Sequence, residues 1–217
     1  MTKHSGKPVK AVRGTRVRTR RSPGSAAIPP GNAVFLVGFM GAGKSSVGRA
    51  LGQRLNWLFE DLDDRIQARE GRSVAEIFRD SGESAFRQAE HAALQHVVDE
   101  LRRGSARVVA LGGGAFVQKE NASLLQSSGV PTVFLDAPVE ELWERCRRQA
   151  SEAGAERPLL RSVEQFRELY KARRRSYAKA SARIPTGDRT VEAIAAEIAK
   201  TLGLKRIALR TEQGEVE

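Results

Sequence analysis

Ala33-Val34-Phe35-Leu36-Val37, running directly into Gly38-Phe39-Met40-Gly41-Ala42-Gly43-Lys44-Ser45, decides the fold. Five consecutive apolar residues that stop at a glycine predict a short buried strand. Ser45–Leu55 then has helical spacing, with Val47, Leu51 and Leu55 on one stripe. The segment between them matches G-x-x-x-x-G-K-[ST] in the strand–turn–helix setting that this pattern requires. Its glycines let backbone N–H groups turn inward around phosphate oxygens, and the helix N-terminus adds its positive dipole end. Gly41, Ala42, Gly43, Lys44, Ser45 and Ser46 are therefore the candidate nucleotide-binding residues. Lys44 can reach the β- and γ-phosphates as a point charge, and the Ser45 hydroxyl can ligate Mg²⁺. The loop points to a nucleoside triphosphate and leaves the acceptor open.

Outward from this loop, apolar runs alternate with amphipathic stretches. Trp57–Phe59, Arg107–Leu111, Pro131–Leu135 and Ala182–Ile184 read as further short strands. Leu62–Arg69, Ser73–Asp80, Ser84–Leu101, Val139–Arg148, Val163–Ala180 and Val191–Leu202 read as helices. The polar residues 149–162, with Arg157 before Pro158, read as a mobile loop. Strands alternating with helices predict an α/β domain with a parallel sheet covered on both faces. A body of this size buries about 70% of its surface.

The 217 residues are 40% hydrophobic and 29% charged, which excludes a wholly disordered or collagen-like chain. The single cysteine, Cys146, excludes an internal disulfide framework and a Cys-based zinc finger. No run approaches eighteen apolar residues, so no transmembrane helix is expected. His4, His91 and His96 show no metal-ligand spacing. The net charge of +11 would suggest nucleic acid or an anionic membrane, but eight Lys/Arg and no acids fall in residues 1–30. Removing those eight leaves +3 for residues 31–217.

Residues 1–30, with four prolines and almost no large apolar residue, are expected to be a basic disordered tail. They hold no secretory h-region. A transit peptide, or weak adhesion to nucleic acid or anionic lipid, are the alternatives to a solvated tail. Residues 31–204 are expected to form one domain and 205–217 a C-terminal tail. A cytoplasmic protein follows from the missing secretion and membrane signals, as an expectation.

Fourteen residues after Ser45 the chain reads Phe59-Glu60-Asp61-Leu62-Asp63-Asp64. Asp61 and Asp63 would point the same way if the extended geometry persisted. They would then lie where open parallel sheets place ligands, one carboxylate serving a metal and the other a hydroxyl. They equally suit an acidic helix start, where Asp caps free N–H groups. Spacing alone leaves both open.

Further along stand Ala85-Phe86-Arg87-Gln88-Ala89-Glu90, Leu111-Gly112-Gly113-Gly114-Ala115 and Arg157-Pro158-Leu159-Leu160, and Arg173 lies four residues before Tyr177. With the D-L-D segment, this set resembles the shikimate kinase family over about Ala33 to Leu202. The phosphate loop is shared by many families; the combination is specific.

The resemblance implies a three-layer P-loop kinase fold, with a five-stranded parallel sheet in the order 2-3-1-4-5 and helices on both faces. It implies transfer of the γ-phosphoryl of ATP to the 3-hydroxyl of shikimate, with Mg²⁺, in chorismate and aromatic amino acid biosynthesis. By matching positions, Asp63 holds the 3-hydroxyl as base or orienter, and Asp61 supports Mg²⁺ through water. Arg87 and Arg173 clamp the shikimate carboxylate, and Gly113 and Gly114 line the acceptor pocket. Arg157 is the lid arginine, within a lid at about 149–162, and Arg145 lies near adenine, with Arg147 and Arg148 as rivals.

A small organic anion suits guanidinium better than ammonium, because the fork can bind bidentately. Glu90, at i+3 from Arg87, can hold that guanidinium, although an ordinary surface pair has the same spacing. Phe78 and Phe86 are read as core, with walling of the acceptor pocket as the alternative. A monomer with ATP and shikimate as partners, and no dedicated nucleic-acid partner, is expected. A related small-molecule kinase, such as one for gluconate, and a P-loop nucleic-acid module using the basic tail, are the competing functions.

Overall fold

The computed structural model describes Ile28, residues 31–153 and residues 162–208. In chain order these form β1 (Ala33–Val37), α1 (Lys44–Leu55), β2 (Leu58–Asp61), α2 (Leu62–Glu70), α3 (Val74–Arg102) and β3 (Arg107–Ala110). A 3₁₀ turn (Ala115–Val117), α4 (Lys119–Ser128), β4 (Thr132–Asp136), α5 (Val139–Ala153), α6 (Val163–Tyr177), β5 (Ala182–Pro185) and α7 (Val191–Thr201) follow.

The strands form one parallel sheet in the order β2-β3-β1-β4-β5, the order that the resemblance implied. Phe35 pairs with both Val109 and Thr132, so β1 is the central strand. Every residue of β1 and β4 is buried, as expected of strands covered on both faces. The edge strands β2 and β5 are partly exposed, and β5 ends in Pro185, a residue that sheets tolerate at edges. The chain leaves β1 toward β2 and β3 on one side and later fills β4 and β5 on the other. The carboxyl end of β1 is therefore a topological switch point, where open parallel sheets bind their ligands.

Local chemistry sets the element ends. Ser73 and Glu76 form a reciprocal capping box that starts α3. Gly82 (φ 78°, ψ 173°) breaks α3 into the two helical pieces expected from sequence. Strand β2 runs one to two residues later than predicted: Trp57 is buried before it, and Asp61 closes it. Helix α4 is an element that sequence did not reveal. Helix α5 continues through 149–153, inside the stretch expected to be loop. Residues 154–161, and so Arg157, lie outside the described residues, as do 1–27, 29–30 and 209–217. Residues just past Leu204, expected to be tail, return to α1. The Ile207 N–H donates to the Leu55 carbonyl at 2.9 Å, and Asn56 Nδ2 donates to the Ile207 carbonyl at 3.1 Å.

Candidate active site

The phosphate loop leaves β1 at Gly38 and enters α1 at Lys44. Two of its glycines are required by contact as well as backbone. A Cβ on Gly38 (φ 149°) would lie 2.7 Å from the Leu135 carbonyl oxygen, and one on Gly41 (φ 77°) 2.9 Å from Cys146 Sγ. Gly43 caps α1 in the left-handed region with no side-chain hydrogen bond to the first-turn amides, which suits an anion at that helix start. Lys44 Nζ donates to the Gly38 and Phe39 carbonyls, each at 3.0 Å. Burial pushes its pKa down, opposed by Asp63 and Asp61.

The D-L-D segment takes the helix-start alternative left open by its spacing. Asp61 ends β2 and is the N-cap of α2, its Oδ1 accepting from the Asp63 N–H at 3.1 Å. Its other oxygen, Oδ2, accepts from Ser45 Oγ at 2.7 Å. The extended geometry does not persist, because Asp63 is already in the first turn of α2. Asp63 Oδ1 is buried without a protein partner, and a Cβ on Gly112 would lie 2.6 Å from it. Burial first, and the Asp61 charge second, hold Asp63 above the ordinary carboxylate range, against the pull of Lys44.

The triple glycine after β3 leaves room for two arginines, Arg87 from α3 and Arg173 from α6. A Cβ on Gly114 would lie 2.6 and 2.7 Å from the terminal nitrogens of Arg87, and one on Gly113 3.6 Å from Arg173 Nη1. Arg87 Nη1 donates to Glu90 Oε2 at 2.9 Å, and Nη2 to Glu83 at 3.1 Å. Its guanidinium lies 5.1 Å from the Phe86 ring centroid and 5.9 Å from that of Phe78. Burial opposes the Arg87 charge, but Glu90 and Glu83 outweigh it and raise its pKa.

Glu90 is fully buried, so the surface-pair alternative fails. Burial raises its pKa against the pull of Arg87, and its Oε1 has no protein partner. Phe86 is core, as expected, whereas Phe78 is 36% exposed at the rim beside Arg87. Tyr177, which sequence left without a role, donates its hydroxyl to the Gly113 carbonyl. Burial raises the Tyr177 pKa to about 12, with Arg173 pulling the other way.

Arg145 lies on α5. Its Nη2 donates to Glu141 at 2.9 Å and to the Thr186 carbonyl at 3.1 Å. It lines an open cavity of about 650 Å³ with Asp188, Arg189 and Thr190. Arg147 is 62% exposed and Arg148 is exposed; neither lines this cavity. Asp188 and Arg189 were not singled out by sequence. The positive φ of Asp188, 49°, marks a turn for which Gly187-Asp188 was the available signal.

A carboxylate with a buried, unpartnered oxygen thus feels both the phosphate-loop lysine Lys44 and the Arg87 guanidinium. A sequence model described as shikimate kinase matches residues 40–203. The chain belongs to the shikimate kinase family.

The shikimate kinase of Geobacter metallireducens is 45% identical over 168 residues, covering 76% of this chain and 88% of that protein. That of Cereibacter sphaeroides is 39% identical over 183 residues, covering 83% and 87%. The solved shikimate kinase of Acinetobacter baumannii, in complex with shikimate, superposes with a TM-score of 0.71 at 32% identity, covering 83% of this chain and 97% of that one. Membership makes this chain a P-loop phosphotransferase with shikimate kinase activity, acting in aromatic biosynthesis. The family is one of ATP-dependent kinases that typically use a divalent metal. No helix among the described residues is long and apolar enough to cross a membrane.

Proposed function

We propose that this chain passes the γ-phosphoryl group of ATP to the 3-hydroxyl of shikimate by holding the two substrates on either side of Asp63. One observation carries this assignment. The unpartnered, buried Asp63 oxygen abuts Gly112, within the electrostatic reach of Lys44 and Arg87, and Arg173 and Arg87 abut the next two glycines, Gly113 and Gly114. Arg87 and Arg173 grip the shikimate carboxylate, and Asp63 orients or deprotonates the alcohol. Lys44 exchanges its two carbonyl partners for phosphate oxygens. The protein lowers the barrier by position and charge and forms no covalent bond to substrate.

The donors fit Mg²⁺, a hard cation that takes oxygen ligands and keeps several waters. Ser45 Oγ would bind it directly and Asp61 would hold its water shell. The ion would supply charge neutralisation at the β- and γ-phosphates. Arg145, beside Asp188, Arg189 and Thr190, serves the adenine end. Arg157 would bring a cation to the transferring group from the segment between α5 and α6. The enzyme is read as a cytoplasmic monomer. Residues 31–204 would be the catalytic domain, so deletion of residues 1–30 is expected to leave activity intact and to abolish any salt-sensitive DNA retention.

A coupled ADP-release assay over shikimate, gluconate and other small hydroxy acids tests the acceptor. Release with shikimate alone is expected. Release with gluconate and none with shikimate would overturn the assignment.

A further inference from the structure

At the carboxyl end of β4, Asp136 is 6% exposed and holds none of the roles assigned above. Its Oδ1 accepts from the Tyr170 hydroxyl at 3.0 Å, and its Oδ2 accepts from Arg174 Nη2 at 2.9 Å. Arg183, on β5, donates to the same Oδ2 through Nε at 2.7 Å. Arg174 Nε also donates to the Tyr170 hydroxyl, at 3.1 Å. The carboxylate therefore holds two consecutive turns of α6 at i and i+4, on one face of the helix.

Arg173 precedes Arg174 by one residue, so it projects about 100° away around the helix, toward Gly113. Rotation of α6 about its axis moves the two arginines together. Both directions of α6 meet one ring of the phosphate loop. The Phe39 ring lies 5.5 Å from the Tyr170 ring, edge on, and 5.9 Å from the Arg173 guanidinium.

We propose that Asp136, acting through Arg174 and Tyr170, is a positioning residue that sets the rotation of α6 so that Arg173 meets the substrate carboxylate beside Gly113. This rests on the assignment of Arg173 as a carboxylate clamp. Arg183 supplies an internal comparison, because it pairs with the same carboxylate from the sheet and not from α6. Arg174 and Arg183 are 42% and 61% exposed, so shortening either leaves no buried void.

The experiment measures KM for shikimate and for ATP, and Tm, in R174Q, R183Q, R173K and the R173K/R174Q double variant. R174Q is expected to raise the shikimate KM about fivefold or more, with the ATP KM moving less than about twofold. R183Q is expected to lower Tm by a similar amount without moving the shikimate KM. In the R173K background, adding R174Q should change the shikimate KM by less than about twofold, because both changes disable one device. An unchanged shikimate KM in R174Q, equal rises in R174Q and R183Q, or full additivity with R173K would each overturn the proposal while leaving the clamp standing. An unchanged shikimate KM in R173K would overturn the clamp itself, and the proposal with it.

Discussion

Ser45 Oγ donates to Asp61 Oδ2 at 2.7 Å, tying the first turn of α1 to the residue that both closes β2 and caps α2. The two oxygens form the hard donor pair assigned to the metal. Asp61→Asn keeps a competent helix cap while removing the charge. It is expected to raise the Mg²⁺ concentration for half-maximal rate about fivefold or more, with little change in Tm. Titrating MgCl₂ at fixed ATP checks this, and an unaltered midpoint would remove Asp61 from the metal's surroundings.

Asp63→Asn separates stability from turnover. Burial raises the folded-state pKa of Asp63 above its ordinary value of 3.8. Its contribution to stability is thus fully present below pH 3.8 and is lost as pH rises through the folded pKa. At pH 7 the charged form costs stability, so the asparagine variant should melt at the same or a higher temperature. Its kcat should fall about a hundredfold or more. In the native enzyme, kcat should decline with falling pH at a point above the usual Asp range. A variant that kept near-normal kcat would show that Asp63 neither holds nor deprotonates the alcohol.

A Cβ at Gly112 or Gly114 would displace the end of the Asp63 or Arg87 side chain, and neither glycine has a left-handed backbone. Their alanine variants should therefore fail differently. Gly112→Ala presses on Asp63 and should lower kcat; Gly114→Ala presses on Arg87 and should raise the shikimate KM, each by about tenfold. Steady-state kinetics with both substrates varied distinguishes them. Identical effects from the two variants would contradict separate duties for Asp63 and Arg87.

Glu100 belongs to a network away from the site, with Arg65, Glu60 and Arg107. Its hydrogen bond from Arg65 is the main cause of a pKa lowered to about 2 from 4.5, with Arg107 contributing further. A depressed carboxylate pKa gives stability that is present above pH 4.5 and lost as pH falls toward 2. Urea unfolding of the wild type and Glu100→Gln across that range should show the gap between them shrinking with acid. A gap that stayed constant would mean that Glu100 acts through packing alone.

The phosphate loop was legible because its information is local: a buried strand, a glycine pattern and an amphipathic helix within residues 33–55. Asp61 and Asp63 were found, but their geometry was not, since spacing cannot say where a strand stops and a cap begins. The depth of Glu90 carried a signal that went unused. Phe86, Glu90, Ala93, Leu94, Val97 and Leu101 all lie on the buried side of α3, so a glutamate stood in an apolar stripe. Helix α4 escaped because Lys119–Ser128 is mostly polar and buries only Asn121 and Leu125. The Asp136 cluster joins residues 34 to 47 positions apart, which no local pattern records.

The strap that Ile207 makes with Leu55 and Asn56 anchors the far end of the helix whose near end cradles phosphate. Truncating the chain at Leu204 would cut that mooring a full twelve-residue helix away from the chemistry. Heat tolerance, rather than choice of substrate, is where such a shortened enzyme would first betray the loss.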